Sequence, residues 1–171
     1  MTDQTTKTTD IAQLIAEFGG KDIVEREAAR QQLVAIGTTE VRRALERSLE
    51  DPSKQVRWEA AKTLAGLADS GAIPSLLKAL DDDDEDVRWV AAEAMIALGD
   101  AGLRATLNEL AQHAYSLDFC KSAHHVIREL KLALGHADKL EPVLDAIQMS
   151  EPEVSAAPAA YKALLALDHE E

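Results

Sequence analysis

Cysteine is almost missing from this chain of 171 residues: Cys120 is the only one. A single thiol excludes an internal disulfide and any cysteine metal cluster. Aromatic residues are scarce, at 4%, and reduce to Phe18, Trp58, Trp89, Tyr115, Phe119 and Tyr161. A β-sandwich draws on Val, Ile, Thr and aromatics, so this deficit argues against one. No apolar run approaches the ~18 residues of a membrane span. Residues 1–9 are polar, lack a signal-peptide core and are expected to form a disordered tail. Basic residues are outnumbered, 18 Lys and Arg against 31 Asp and Glu, giving a net charge of −13. Nucleic acids are bound through Lys and Arg on phosphates, so neither they nor an anionic membrane are expected partners. A cytoplasmic location is the expectation, and the lone thiol is compatible with it.

What the chain has in abundance is Ala and Leu, together 52 of the 171 residues. These residues lose little side-chain freedom in a helix, so the composition predicts an all-α fold. The helices recur. Val56-Arg-Trp-Glu-Ala-Ala and Val87-Arg-Trp-Val-Ala-Ala begin 31 residues apart. The same shift brings Arg26 onto Arg57 and Arg88, Ala29 onto Ala60 and Ala91, and Leu33 onto Leu64 and Met95. Later in the unit it brings Val41 onto Ala72 and Leu103, and Leu45 onto Leu76 and Leu107.

Each unit carries two helical stripes. Val56, Ala60, Leu64 and Leu67 mark the first, and Ile73, Leu76, Leu77 and Leu80 the second. Ala68-Asp-Ser-Gly-Ala stops one helix before Pro74 opens the next. Asp51-Pro52 is expected to open the helix before it, with Asp51 as N-cap. A helical hairpin cannot bury its stripe alone; stacked hairpins share a continuous core. The predicted organisation is a single domain over 10–168, with 169–171 a tail. It comprises a leading helix over 10–19, capped by Asp10, and units over 21–50, 52–81 and 84–113. A degenerate fourth unit follows over 117–149. The last helix is expected over 158–168, because Pro158 argues against one helix through 150–168. Ser150 and Glu153 have capping-box spacing.

The Val-Arg-Trp-x-Ala-Ala segments, followed by Leu-Ala-Asp or Leu-Gly-Asp, resemble the HEAT-repeat family, and in particular its short, bilin-lyase-type HEAT-like repeats. The resemblance implies a right-handed α-solenoid, with first helices convex and second helices concave. It also raises two enzyme readings. HEAT-like proteins of the deoxyhypusine hydroxylase type hold two irons through His-Glu pairs on first helices. Here those positions read Glu27-Ala28, Trp58-Glu59, Trp89-Val90 and Cys120-Lys121, so that activity is not expected. A HEAT-like DNA glycosylase is disfavoured by the charge.

The expected function is therefore non-catalytic: a HEAT-like scaffold that binds another protein or a peptide. The alternative is a bilin-lyase-like chromophore chaperone or lyase, for which no site can be assigned. The predicted concave face carries Arg43, Arg47, Lys78, Arg104, Asn108 and Glu109, a mixed-charge row suited to an acidic or amphipathic peptide. Trp58 and Trp89 share a rung and serve either in inter-repeat packing or as an aromatic patch. Arg57 and Arg88 read as inter-repeat bonding partners. The run Asp81–Asp86 reads as a solvated cap and linker at a helix N-terminus. Cys120 and His124, four apart, supply two ligands on one helix face, with His113, His125 and His136 nearby. Zinc needs three or four, so neither a metal nor another cofactor is expected.

Overall fold

The computed structural model describes residues 11–112, 116–149 and 151–169. Asp10, His113, Tyr115, Ser150 and the tails lie outside them, as does the Glu153 side chain. Among the described residues the regular structure is entirely helical. Helix α1 covers 11–16 and runs into a 3-10 turn, Glu17–Gly19. Three hairpins follow: α2 (Ile23–Ile36) with α3 (Thr39–Ser48), α4 (Lys54–Leu67) with α5 (Ile73–Ala79), and α6 (Glu85–Ala97) with α7 (Asp100–Gln112). The fourth is α8 (Leu117–Ala133) with α9 (Ala137–Ile147), and α10 (Pro152–Asp168) ends the array.

Local chemistry sets the helix ends. Asp22 accepts the Val24 N–H, Thr38 that of Val41, and Ser116 that of Phe119. These caps satisfy donors that the first turn leaves open. Asp84 does the same for α6, accepting from Asp86 and Val87. Asp51, however, is not the cap of α4. Its carboxylate accepts the Ser53 N–H at 2.8 Å, forming a turn that delays the helix to Lys54. At the far ends, Gly37, Ala68 and Gly99 all take positive φ, 58°, 48° and 59°. They stand 31 residues apart, so one left-handed turn recurs in each hairpin.

First helices stack on one another in the order α2, α4, α6, α8. The aligned apolar rungs are buried throughout: Ala29, Ala60 and Ala91; Leu33, Leu64 and Met95; Leu45, Leu76 and Leu107. Small residues allow the closest approaches. A Cβ on Gly102 would sit 2.0 Å from the Met95 carbonyl oxygen, where α7 turns back on α6. The result is an α-solenoid with one continuous core.

A polar ladder runs beside this core. Arg26, Arg57 and Arg88 each donate to a carbonyl six residues earlier, on Gly20, Asp51 and Asp82, at 2.7–2.9 Å. Each also reaches an acid further along the array: Arg26 to Glu59 of the next unit, Arg57 to Asp82 and Asp83 at the junction with the next, Arg88 to Asp118 at the start of α8. The acidic run is thus more than a solvated linker. Asp82 and Asp83 bind Arg57, Asp84 binds Lys54 and caps α6, and Asp81 accepts from the Ser116 hydroxyl.

The C-terminal part departs from expectation. Helix α10 is continuous from Pro152 to Asp168, with Pro158 inside it. Pro158 removes the N–H that would bond the Val154 carbonyl, but Val154 is 64% exposed, on the solvent side of the helix. Burial of Ala156, Ala160, Ala163 and Leu167 holds the helix together across the proline. Helix α10 packs against both α7 and α9, whereas α7 and α9 make no comparable contact. The last helix is therefore inserted into the second-helix layer.

Candidate interaction surface

The second-helix row divides into an open part and a closed part. Arg43 and Arg47 stand one turn apart on α3 and are exposed. Among the described residues neither has an ion-pair partner, whereas the other seven arginines all do. Arg47 borders a cleft of about 380 Å³ between α1 and α3, with Ile11, Ile15 and Ala44 supplying apolar wall and Glu40 and Asp51 acidic edges. On α5, Lys78 is exposed and reaches Glu50 at 3.8 Å, a contact of little energetic weight.

The closed part is on α7. Arg104 binds Asp100 at 2.8 Å and Asp168 of α10 at 2.5 Å. Its hydrogen bonds to these two acids raise the guanidinium's affinity for its proton. Asn108 is exposed and accepts from Gln112, while Glu109 is half-buried. Arg104 is thus tied to the inserted helix, whereas Arg43, Arg47 and Lys78 face solvent.

The two tryptophans share a rung but lean in opposite directions. Trp58 is half-buried beneath Arg30 of the preceding unit, whose Cζ lies 5.7 Å from the ring centroid. Trp89 leans towards the following unit and stacks on His125, with centroids 4.2 Å apart. It remains 55% exposed. The Trp58 side of the first-helix layer has a cleft of about 280 Å³ shared with Ile23, Arg26, Arg30 and Gln55.

Within that cleft lies a residue to which the sequence reading assigned no role. Glu59 is buried, and its carboxylate takes Arg26 Nε at 2.7 Å, Gln55 Nε2 at 2.9 Å and the Arg30 guanidinium. The signal was available in the repeat alignment, which places Glu59 opposite the buried Val90. An acid at a core rung demands cationic partners.

Cys120 is buried in α8. His124 Nε2 lies 2.9 Å from the Gln148 side-chain nitrogen. Burial, then Arg128, His125 and Lys131, lower the His124 pKa below histidine's ordinary 6.5. A neutral imidazole there can accept from the amide. His125 bonds instead to Glu93, and His136 occupies the start of α9. Among the described residues, no group of three or more His, Cys, Asp and Glu side chains is placed to hold a metal ion. No described helix is long and apolar enough to cross a membrane.

Helical hairpins in 31-residue register, a shared core and an arginine ladder between units define a repeat α-solenoid. The family model for HEAT repeats matches residues 11–96 and 41–122, and the chain belongs to the HEAT-repeat family. No curated protein matches it.

Proposed function

We propose that this chain is a non-catalytic, cytoplasmic HEAT-repeat scaffold that binds another protein through an acidic or amphipathic segment. The supporting observation is the exposed pair Arg43 and Arg47, one turn apart on α3 and without ion-pair partners among the described residues, of which Arg47 lines the α1–α3 cleft. Seven other arginines are committed to internal acids, so these two are available for a carboxylate from outside. Ala12 and the half-buried Ile15, which line the same cleft, offer apolar contact to that segment. Lys78 extends the basic row. Arg104, Asn108 and Glu109 continue it only up to the inserted helix α10. The exposed side of Trp89 is a second, separate contact point.

The test is affinity capture from the native cell, with partners identified by mass spectrometry. The Arg43→Ala/Arg47→Ala variant should lose the captured partner while Lys62→Ala retains it. Capture that is identical for both variants would remove this surface from consideration. A bilin titration that shifts the pigment's absorbance would favour the chromophore-chaperone reading instead.

A further inference from the structure

Trp89 and His125 belong to neighbouring units, and their rings stack at 4.2 Å with an interplanar angle of 20°. Both imidazole nitrogens are engaged. Nε2 lies 2.9 Å from Glu93 Oε1. A carboxylate oxygen only accepts, so Nε2 carries the hydrogen. Nδ1 lies 3.1 Å from Arg128 Nη2. A guanidinium only donates, so Nδ1 presents its lone pair. The arrangement therefore selects one species, the neutral Nε2–H tautomer.

A second proton has one place to go. On Nδ1 it sets two donors and two like charges against each other, and the Arg128 contact must open. Glu129, one turn along α8, is the waiting acceptor: its Oε1 is 4.0 Å from Nδ1 and already binds Arg128 at 2.9 Å. On the other side, the imidazolium gains a charge-assisted bond to Glu93 and rests on the electron-rich face of Trp89. The charged and titratable groups around the ring come from α6 (Glu85, Arg88, Glu93) and from α8 (Asp118, Lys121, His124, Arg128, Glu129).

We infer that Trp89, Glu93, His125 and Arg128 form a proton-responsive clasp between the third and fourth repeats. Protonation of His125 tightens its hold on α6 and frees Arg128 from the ring. The clasp sits where the regular array meets the degenerate unit, in which Cys120 replaces the tryptophan of the two preceding units. Coupling between the regular repeats and the C-terminal helices thereby depends on proton activity. This is independent of whether a partner binds at Arg43 and Arg47.

The Trp58→Phe variant leaves Trp89 as the only tryptophan, and its emission reports the stack. Emission should change in one step as the neutral chain is acidified. His125→Gln should abolish the step and His124→Gln should retain it. Glu93→Gln, which removes an acceptor from Nε2, and Arg128→Gln, which removes a cation from Nδ1, should displace the step in opposite directions. Imidazole nitrogen NMR on the unaltered chain checks the tautomer without any substitution, and should show Nε2–H above the transition. An Nδ1–H tautomer, a flat emission profile, or a midpoint indifferent to both Glu93→Gln and Arg128→Gln would overturn the clasp.

Discussion

Ala68 occupies the left-handed turn that Gly37 and Gly99 occupy one unit before and one unit after. The chain thus contains its own control: three copies of one backbone position, two with glycine and one without. The Ala68 φ of 48° and ψ of 38° place its Cβ close to the following carbonyl. That conformation costs an L-residue about 1–2 kcal/mol. Its N–H still bonds the Leu64 carbonyl, as that of Gly37 bonds Leu33, so the cap itself is intact. Replacing Ala68 with glycine removes the strain but returns about 0.4–1 kcal/mol of freedom to the unfolded chain. The difference predicts a net gain of roughly 0.5–1 kcal/mol for Ala68→Gly. For a chain of this size, that raises the melting temperature by about 1–4 °C. The converse change, Gly37→Ala, should lower it by at least as much, because the new Cβ would also meet the Val34 carbonyl at 3.3 Å. Calorimetry or circular dichroism on the two single variants decides the matter. A melting temperature for Ala68→Gly at or below that of the parent would refute the strain argument.

Other outcomes follow from burial and charge. Leu76→Ala empties a buried rung shared by adjacent repeats and should cost about 2–5 kcal/mol, against under about 0.5 for exposed Lys78→Ala; equal urea midpoints would contradict the register. Glu59→Ala strips the shared anion from Arg26 and Arg30 and should destabilise by about 3 kcal/mol or more, with Glu59→Gln milder; a loss no greater than that of Lys62→Ala would show the cluster to be idle. His124 has a lowered pKa in the folded chain, so the unfolded chain binds its proton first. Its contribution to stability should therefore fall as pH drops from about 6.5 through the folded value, and denaturation of His124→Gln at pH 7.5 and 5 should show a shallower pH dependence than the parent. Asp84 has the acid's version of this behaviour. Lys54 and the α6 N–H groups lower its pKa, so its stabilisation is present above its ordinary 3.8 and lost as pH falls through the lowered value. Asp84→Asn should flatten the acid limb of the same curve.

Helix existence, hairpin organisation and the buried rungs were all legible in the residues, because each depends on spacing along one chain segment. A stripe at i, i+4, i+8 fixes which side of a helix is buried whatever covers it. The 31-residue period fixes that similar hairpins stack. The stop at Ala68-Asp-Ser-Gly-Ala and the opening of α5 at Pro74 are equally local. What lay beyond the sequence was pairing across 25 to 64 residues: Arg30 with Glu59, Arg57 with Asp82, Trp89 with His125, Arg104 with Asp168. Such pairs are chosen by how neighbouring helices turn and shift against each other, and the period does not specify that. The same is true of the opposite lean of Trp58 and Trp89, which occupy identical rungs. Helix α10 shows the limit most clearly. Its local chemistry favours a break at Pro158, yet the alanine face buried between α7 and α9 outweighs one missing hydrogen bond. By entering the second-helix layer there, α10 closes one end of the row and leaves Arg43, Arg47 and Lys78 as its open end, a division that only the packed structure decides.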